Sequence, residues 1–278
     1  MSTTNSARIL GALPLAATSL VAVLMAVPFA YGLVISLREP ADVLAAHPHL
    51  WPPRLDAYRR IWHLVPLAHY LFNSLLVSAA VTIGATFTSI LAAYVFARAQ
   101  FRGRDTLFIG VLATLMVPAH ITLIPNYLLM ARVGLLDSYG ALILPFLANG
   151  FAIFFLRQHF RAVPRVYDEA ARLDGASAWH VLWQVIVPLT RPAIGSAALF
   201  IFLGEWNSYI WPRIVTDGDA VATAQIGLAR LYLKSAGEGL VDWPLVLAAS
   251  MTILVPTLVA FALVERRLVR GVMLGGIK

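Results

Sequence analysis

Cysteine is absent from this chain. That excludes disulfides and Cys-ligated metals and leaves the redox compartment unread. Charge is scarce as well: 13% of the residues are charged, where a soluble domain carries about a quarter. So few charges cannot cover a water-facing surface, and the bilayer is the natural solvent. No GxxxxGK[ST] stretch occurs, so the chain has no phosphate-binding loop of that kind. His47, His49, His63 and His69 gather loosely in one region, but their spacing fits no metal template and no carboxylate set lies nearby. Within the apolar segments there is no Ser-His-Asp set and no pair of acids. Internal repeats and low-complexity tracts are also missing.

What is present is apolar. Hydrophobic residues make up 60% of the 278 positions, and the mean hydropathy is +0.78. A spanning helix needs roughly 20 mostly apolar residues. Six segments qualify, at about residues 9–37, 71–97, 107–130, 139–156, 192–211 and 244–264. The expected fold is all-α, a polytopic membrane protein with six transmembrane helices in a single domain over 1–278. The first run is too long for a signal h-region and is expected to stay as an anchor.

Six spans place both termini on one side. If that side is cytoplasmic, the inside segments hold Arg8, Arg98, Arg102, Arg104, Arg157, Arg161, Arg165, Arg172, Arg191, Arg266, Arg267, Arg270 and Lys278. These are about 13 of the 21 basic residues, a modest bias that agrees with the positive-inside rule. The net charge of +7 is explained in this way, without nucleic acid. Outside, residues 38–69 are broken by Pro40, Pro48, Pro52, Pro53 and Pro66, with a short interfacial helix expected around Tyr58, Ile61 and Trp62. Residues 213–242 form a polar, Gly-bearing outside loop.

The inside segment 157–191 is too long for a turn, since most connections run about 4–6 residues. Pro164 can open a helix. Asp168 and Glu169 follow near its positive end, and Ala170, Ala171 and Leu173 favour it. Gly175 fits a cap with positive φ. Ser177 is a good N-cap for a second short helix, whose Trp179, Leu182, Val185 and Ile186 share one face. Pro188 and Pro192 bracket its end and the start of the fifth span. The element is a helix, a glycine turn and a helix. By local physics it is equally well an amphipathic surface loop.

Glu169-Ala170-Ala171, Gly175 and Val185-Ile186-Val187-Pro188 resemble the EAA loop of ABC importer permeases, with Val185 and Val187 in place of that pattern's Ile and Leu. The flanks Phe155-Leu156-Arg157-Gln158, Pro164 and Ala176-Ser177 resemble the carbohydrate-uptake, maltose-type branch. So do Asn73-Ser74, Thr122-Leu123-Ile124-Pro125, Trp206-Asn207, Trp211-Pro212 and Val269-Arg270-Gly271. The resemblance covers nearly the whole chain. It implies the type I ABC importer permease fold in a bacterial inner membrane, with both termini cytoplasmic. The cargo would be an oligosaccharide, polyol or glycerol-phosphate type of solute. The implied partners are a second homologous permease forming a heterodimer, two cytoplasmic ATPase subunits and an extracytoplasmic solute-binding protein. This chain would bind no cofactor, ATP and magnesium sitting on the ATPase. Glu169, Ala170, Ala171, Asp174, Gly175 and Pro188 would form the coupling loop.

Candidates for a solute path lie in the spans. Glu205 is a carboxylate well inside an apolar segment, which costs about 2.5–3.5 kcal/mol against lipid. It should face a cavity, a partner helix or the outer interface. Trp206, Asn207 and Tyr209 beside it suit sugars, whose flat C–H faces take aromatic rings and whose hydroxyls take amides and carboxylates. Trp206, Tyr209 and Trp211 also suit an aromatic belt at the outer interface, a reading that fits Trp211 best because it stands at the segment's end. Asn126 and His120 lie near Pro118 and Pro125, which break the backbone ladder of the third span. His120 equally suits packing, and Asn73 is a further candidate. A stand-alone secondary transporter is the alternative function, but coupling usually draws on buried acids in several helices, and Glu205 is nearly alone.

Overall fold

The computed structural model describes residues 3–43, 52–237 and 239–275. His47, Pro48, His49 and Lys278 lie outside the described residues. All regular structure among the described residues is helical. Contacts divide the chain into two compact units, Met1–Pro66 with Leu228–Leu254, and Leu67–Gly227 with Val255–Lys278.

In the first unit, α1 (Thr3–Ser36) covers nearly all of the first expected span. A four-residue α2 (Pro40–Val43) and α3 (Asp56–Leu64) follow. α3 is the short amphipathic helix that Tyr58, Ile61 and Trp62 suggested. It buries Ala57 and Ile61, and the Tyr58 hydroxyl shares a 2.8 Å hydrogen bond with Ser36 Oγ. Gly32 lets α1 come close to a neighbour, for a Cβ there would sit 2.9 Å from Met251 Cε. Arg60 pairs with Asp242 at 2.9 Å.

The second unit is organised around α4 (Leu67–Arg98). Val77, Val81, Ala85, Ser89, Ala93 and Ala97 recur every fourth residue along it and are buried. Such i, i+4 rows form the ridges of helix packing. α4 packs on α8 (Gly150–Ala162) and α12 (Arg191–Trp206), which present matching buried rows, Ala152-Leu156-Phe160 and Ala193-Ala197-Ile201. Small residues dominate these rows, as expected where backbones must approach closely in a membrane.

Three of the six expected spans are broken. α5 (Arg104–Met116) and α6 (Ala119–Arg132) are separated at Val117, which is extended at φ −80°, ψ 117°. The ring of Pro118 forces this on the residue before it. Pro125, by contrast, lies inside the continuous α6. α7 (Tyr139–Ile143) runs into a 3₁₀ turn, Leu144–Phe146, and the chain restarts at α8, capped by Asn149 Oδ1 on the Ala152 N–H at 2.9 Å. α12 stops at Trp206, five residues short of the expected end, and Ile210–Val215 forms a separate α13. Between α8 and α12 come α9 (Val166–Leu173), α10 (Ala178–Val181), a π turn Leu182–Ile186 and α11 (Val187–Leu189).

α14 (Ala224–Gly237) and α15 (Trp243–Gly275) each supply residues to both units. α14 corrects the expectation of a polar loop at 213–242: its Ala, Leu, Gln and Lys residues favour helix despite Gly227. Three described helices are long and apolar enough to cross a membrane, Ala17–Ser36, Leu67–Arg98 and Trp243–Leu263. Counting each bent pair as one span gives up to six.

Candidate functional site

The segment after α8 folds as its local chemistry dictates. α8 runs to Ala162, so Arg157 and Arg161 are helical. Val163 is extended at ψ 126°, as the residue before Pro164 must be. α9 then carries Asp168 and Glu169 in its first turn. It stops at a paired set of bonds: the Gly175 N–H reaches the Arg172 carbonyl at 3.0 Å, and the Ala176 N–H the Ala171 carbonyl at 2.9 Å. This is a Schellman motif, which needs a left-handed residue. Gly175 supplies it at φ +83°. Ser177 caps α10 through the His180 N–H.

Pro188 does not end this second helix. It lies within α11, just after the π turn. A proline gives no N–H, and its ring crowds the carbonyl four residues back. Widening of the ladder over Leu182–Ile186 accommodates that. The chain then turns by 82° into α12.

α9 is a largely exposed helix anchored through Asp168, with Arg172 also reaching the Tyr94 hydroxyl of α4. Glu169, Ala170, Asp174 and Gly175 are exposed, and Ala171 is half-buried. Val166, Tyr167 and Leu173 present large apolar side chains, Leu173 at 90% exposure. Asp168 is buried and pairs with Arg98, the last residue of α4, across 3.2 Å between Oδ2 and Nε. Nη2 of Arg98 donates to the Val163 carbonyl at 2.8 Å. A cleft of about 290 Å³ opens beside this pair, lined by Arg98, Gln100, Arg165, Asp168, Glu169 and Arg172.

A second arginine mirrors the first. Arg157 of α8 is buried, and its Nε donates to the Phe96 carbonyl at 3.2 Å. Its guanidinium lies 3.7 Å from the centre of the Phe108 ring and 3.8 Å from Asp105. Each arginine thus satisfies a carbonyl near the C-terminus of the other's helix, the end that favours positive charge. Sequence reasoning used Arg98 only as an inside charge, Arg157 as an inside charge and as part of a family-like flank, and Asp168 only as a first-turn acid. Nothing local in the sequence pairs residues so far apart.

The solute-path candidates fall into different environments. Trp206 is buried and stacks on Phe202 with centroids 5.8 Å apart. Asn207 is the exposed C-cap of α12, its amide donating to the Leu203 carbonyl at 2.8 Å. Glu205 is partly exposed and Tyr209 is 41% exposed. On α6, His120 is exposed and Asn126 half-buried, and α6 packs against α13.

Asn73 is committed elsewhere. Fully buried, it donates to the Ala220 and Ala222 carbonyls at 3.0 and 2.9 Å and accepts from the Tyr139 hydroxyl at 2.7 Å. Both amide hydrogens are spent inside the protein, so Asn73 holds the 216–224 segment rather than offering a donor to a solute. Tyr70 and Ser74 reinforce it through Asp219 Oδ1 and the Ala224 N–H. Trp211 corrects the aromatic-belt expectation. It is buried, its Nε1 donates to the Ala141 carbonyl at 3.0 Å, and Phe146 meets it edge-on. Among the described residues no group of three or more His or carboxylate side chains could hold a metal ion.

Residues 84–270 match the family described as "Binding-protein-dependent transport system inner membrane component". The chain is 33% identical over 232 residues to the sn-glycerol-3-phosphate transport system permease protein UgpE of Yersinia enterocolitica, covering 81% of this chain and 80% of that one. It is 31% identical over 209 residues to the arabinooligosaccharides transport system permease protein AraQ of Bacillus subtilis, covering 75% and 73%. Its fold matches a chain in the crystal structure of a bacterial ABC transporter involved in the import of the acidic polysaccharide alginate. There the TM-score is 0.81 at 23% identity, over 94% of this chain and 97% of that one.

Proposed function

Since the chain belongs to the family of binding-protein-dependent transport system inner membrane components, we propose that it forms half of the pore of an ATP-driven importer. The cargo we assign is a sugar or sugar-like solute of the oligosaccharide, polyol or glycerol-phosphate type. This follows the names of the glycerol-phosphate, arabinooligosaccharide and alginate systems it is similar to. As a transport subunit it is not an enzyme, and ATP hydrolysis belongs to a partner chain.

The observation that carries the reading is α9 with its glycine stop. An exposed helix presents Val166, Tyr167, Ala170 and Leu173 outward, while Asp168 ties it back to the bundle. Apolar side chains exposed in this way call for a protein partner. We assign that partner as a cytoplasmic ATPase, with Glu169, Ala170, Ala171, Asp174, Gly175 and Pro188 shaping the docking element. Two such ATPases, a second homologous permease and an extracytoplasmic binding protein complete the assembly. The bacterial inner membrane surrounds it, with both termini in the cytoplasm. A related alginate transporter has been crystallised with an alginate-pentasaccharide-bound periplasmic protein, which supports the last of these partners.

For the solute path we propose Glu205, Asn207 and Tyr209 at the end of α12, with Asn126 and His120 of α6. Trp206 closes that region by packing. Affinity purification from native membranes tests the reading: an ATPase and a second permease should co-purify, and uptake in vesicles should require ATP. Uptake by this chain alone, independent of ATP, would favour the secondary-transporter alternative.

A further inference from the structure

We propose that the buried Arg98–Asp168 ion pair is the tension-bearing link between α9 and α4, so that both residues act as positioning residues for transport. The proposal rests on the reading that the α9 loop docks on an ATPase.

Asp168 is the buried residue of α9, and its partner is the last residue of the helix that packs on both α8 and α12. A second polar tie runs from Arg172 to the Tyr94 hydroxyl of α4, but this arginine is exposed and its contact correspondingly weak; the remaining ties are half-buried small side chains, Ala171 and Ala176. Van der Waals contact of that kind resists a push. It gives little resistance to a pull, because each atom pair contributes only about 0.1–0.2 kcal/mol. A desolvated ion pair resists both, since separating it leaves two uncompensated buried charges. Arg98 is itself braced, because Nη2 stays bonded to the Val163 carbonyl.

The pair is also poorly built as a simple stabiliser. Arg98 Nε and Asp168 Oδ1 are buried without a hydrogen bond, and buried ion pairs with unspent hydrogen-bonding capacity contribute little net stability. A mechanical role accounts for keeping both charges in place. An importer that cycles must be pulled back as well as pushed, and this link serves the return stroke.

The test uses the assembled transporter purified with its ATPase. The chain has no cysteine, so with cysteine-free partner subunits nitroxide labels on Leu75→Cys of α4 and on Arg165→Cys, the N-cap of α9, report alone; both positions are exposed. Pulsed EPR distances are recorded without nucleotide and with ATP, magnesium and vanadate. In the otherwise unaltered chain the inter-label distance should stay single and constant between the two states. In Asp168→Asn it should split or shift by several ångströms between states while ATP hydrolysis continues, and Asp168→Glu should restore the constant distance. A constant distance in Asp168→Asn would overturn the link, and so would a changing distance in the unaltered chain. Loss of the ATPase from Asp168→Asn would assign Asp168 to docking and also overturn it. An unaltered chain that retains no ATPase would sink the functional reading, and this proposal with it, before any distance is measured.

Discussion

Arg98 and Arg157 clasp the C-terminal ends of α4 and α8 reciprocally, each donating to a carbonyl near the end of the other's helix, Val163 and Phe96 respectively. Both guanidiniums are buried, and Arg157 also lies over Phe108. The loop that follows α8 therefore starts from a fixed base.

Arg157→Lys should weaken that base even though the charge is kept. Lysine lacks the planar fork that bonds a carbonyl while stacking on a ring. The lost cation–π contact and the strained hydrogen bond should together cost about 1–3 kcal/mol. Thermal unfolding of the purified protein in detergent should show a lower midpoint for Arg157→Lys. An unchanged midpoint would mean the clasp contributes nothing to stability.

Asn73→Ala should loosen the segment 216–224 selectively. The change removes both donors to the Ala220 and Ala222 carbonyls and the acceptor for Tyr139. Each buried group left unpaired costs about 1–3 kcal/mol. Amide exchange should quicken across residues 217–223 while the α4, α8 and α12 cores stay protected. Uniform protection in the variant would contradict the clamp.

How far the sequence was legible follows from the range over which each determinant acts. The stop of α9 was readable because Pro164, the first-turn acids and Gly175 act on neighbouring residues. The six apolar stretches were readable because hydropathy sums over a window. The break at Val117 was readable from Pro118, which acts on the residue before it, while those at Asn149 and Asn207 were missed, since one polar residue inside an apolar run barely changes the sum. The belt expectation for Trp211 failed, and the reading of Asn73 stayed open, because only a distant backbone carbonyl, Ala141 or Ala220, decides where their N–H groups point. The Arg98–Asp168 pair was out of reach on the same grounds.

Reporter fusions test the proposed orientation. A reporter at Asp217, in the segment held by Asn73 and Tyr70, should be active on the outer side of the membrane. One at Ala178, the first residue of α10, should be active inside. The opposite pattern would invert the topology and remove the α9 loop from any cytoplasmic partner.

Gly175 permits the sharpest separation of folding from transport. A Cβ there would meet nothing within 4 Å, so a small substitution causes no clash. Its cost is backbone strain at φ +83°, about 1–2 kcal/mol for a residue other than glycine. Gly175→Ala should thus insert and assemble normally and lose part of its uptake, because α9 and α10 no longer meet at a fixed angle. Gly175→Asp adds a charge at the exposed turn beside Asp174 and should abolish coupling: ATP hydrolysis by the assembled complex continues while uptake falls to background. Measuring both rates in the same vesicles decides the matter. If Gly175→Asp transports normally, the turn is only a connector and the docking assignment for this loop fails.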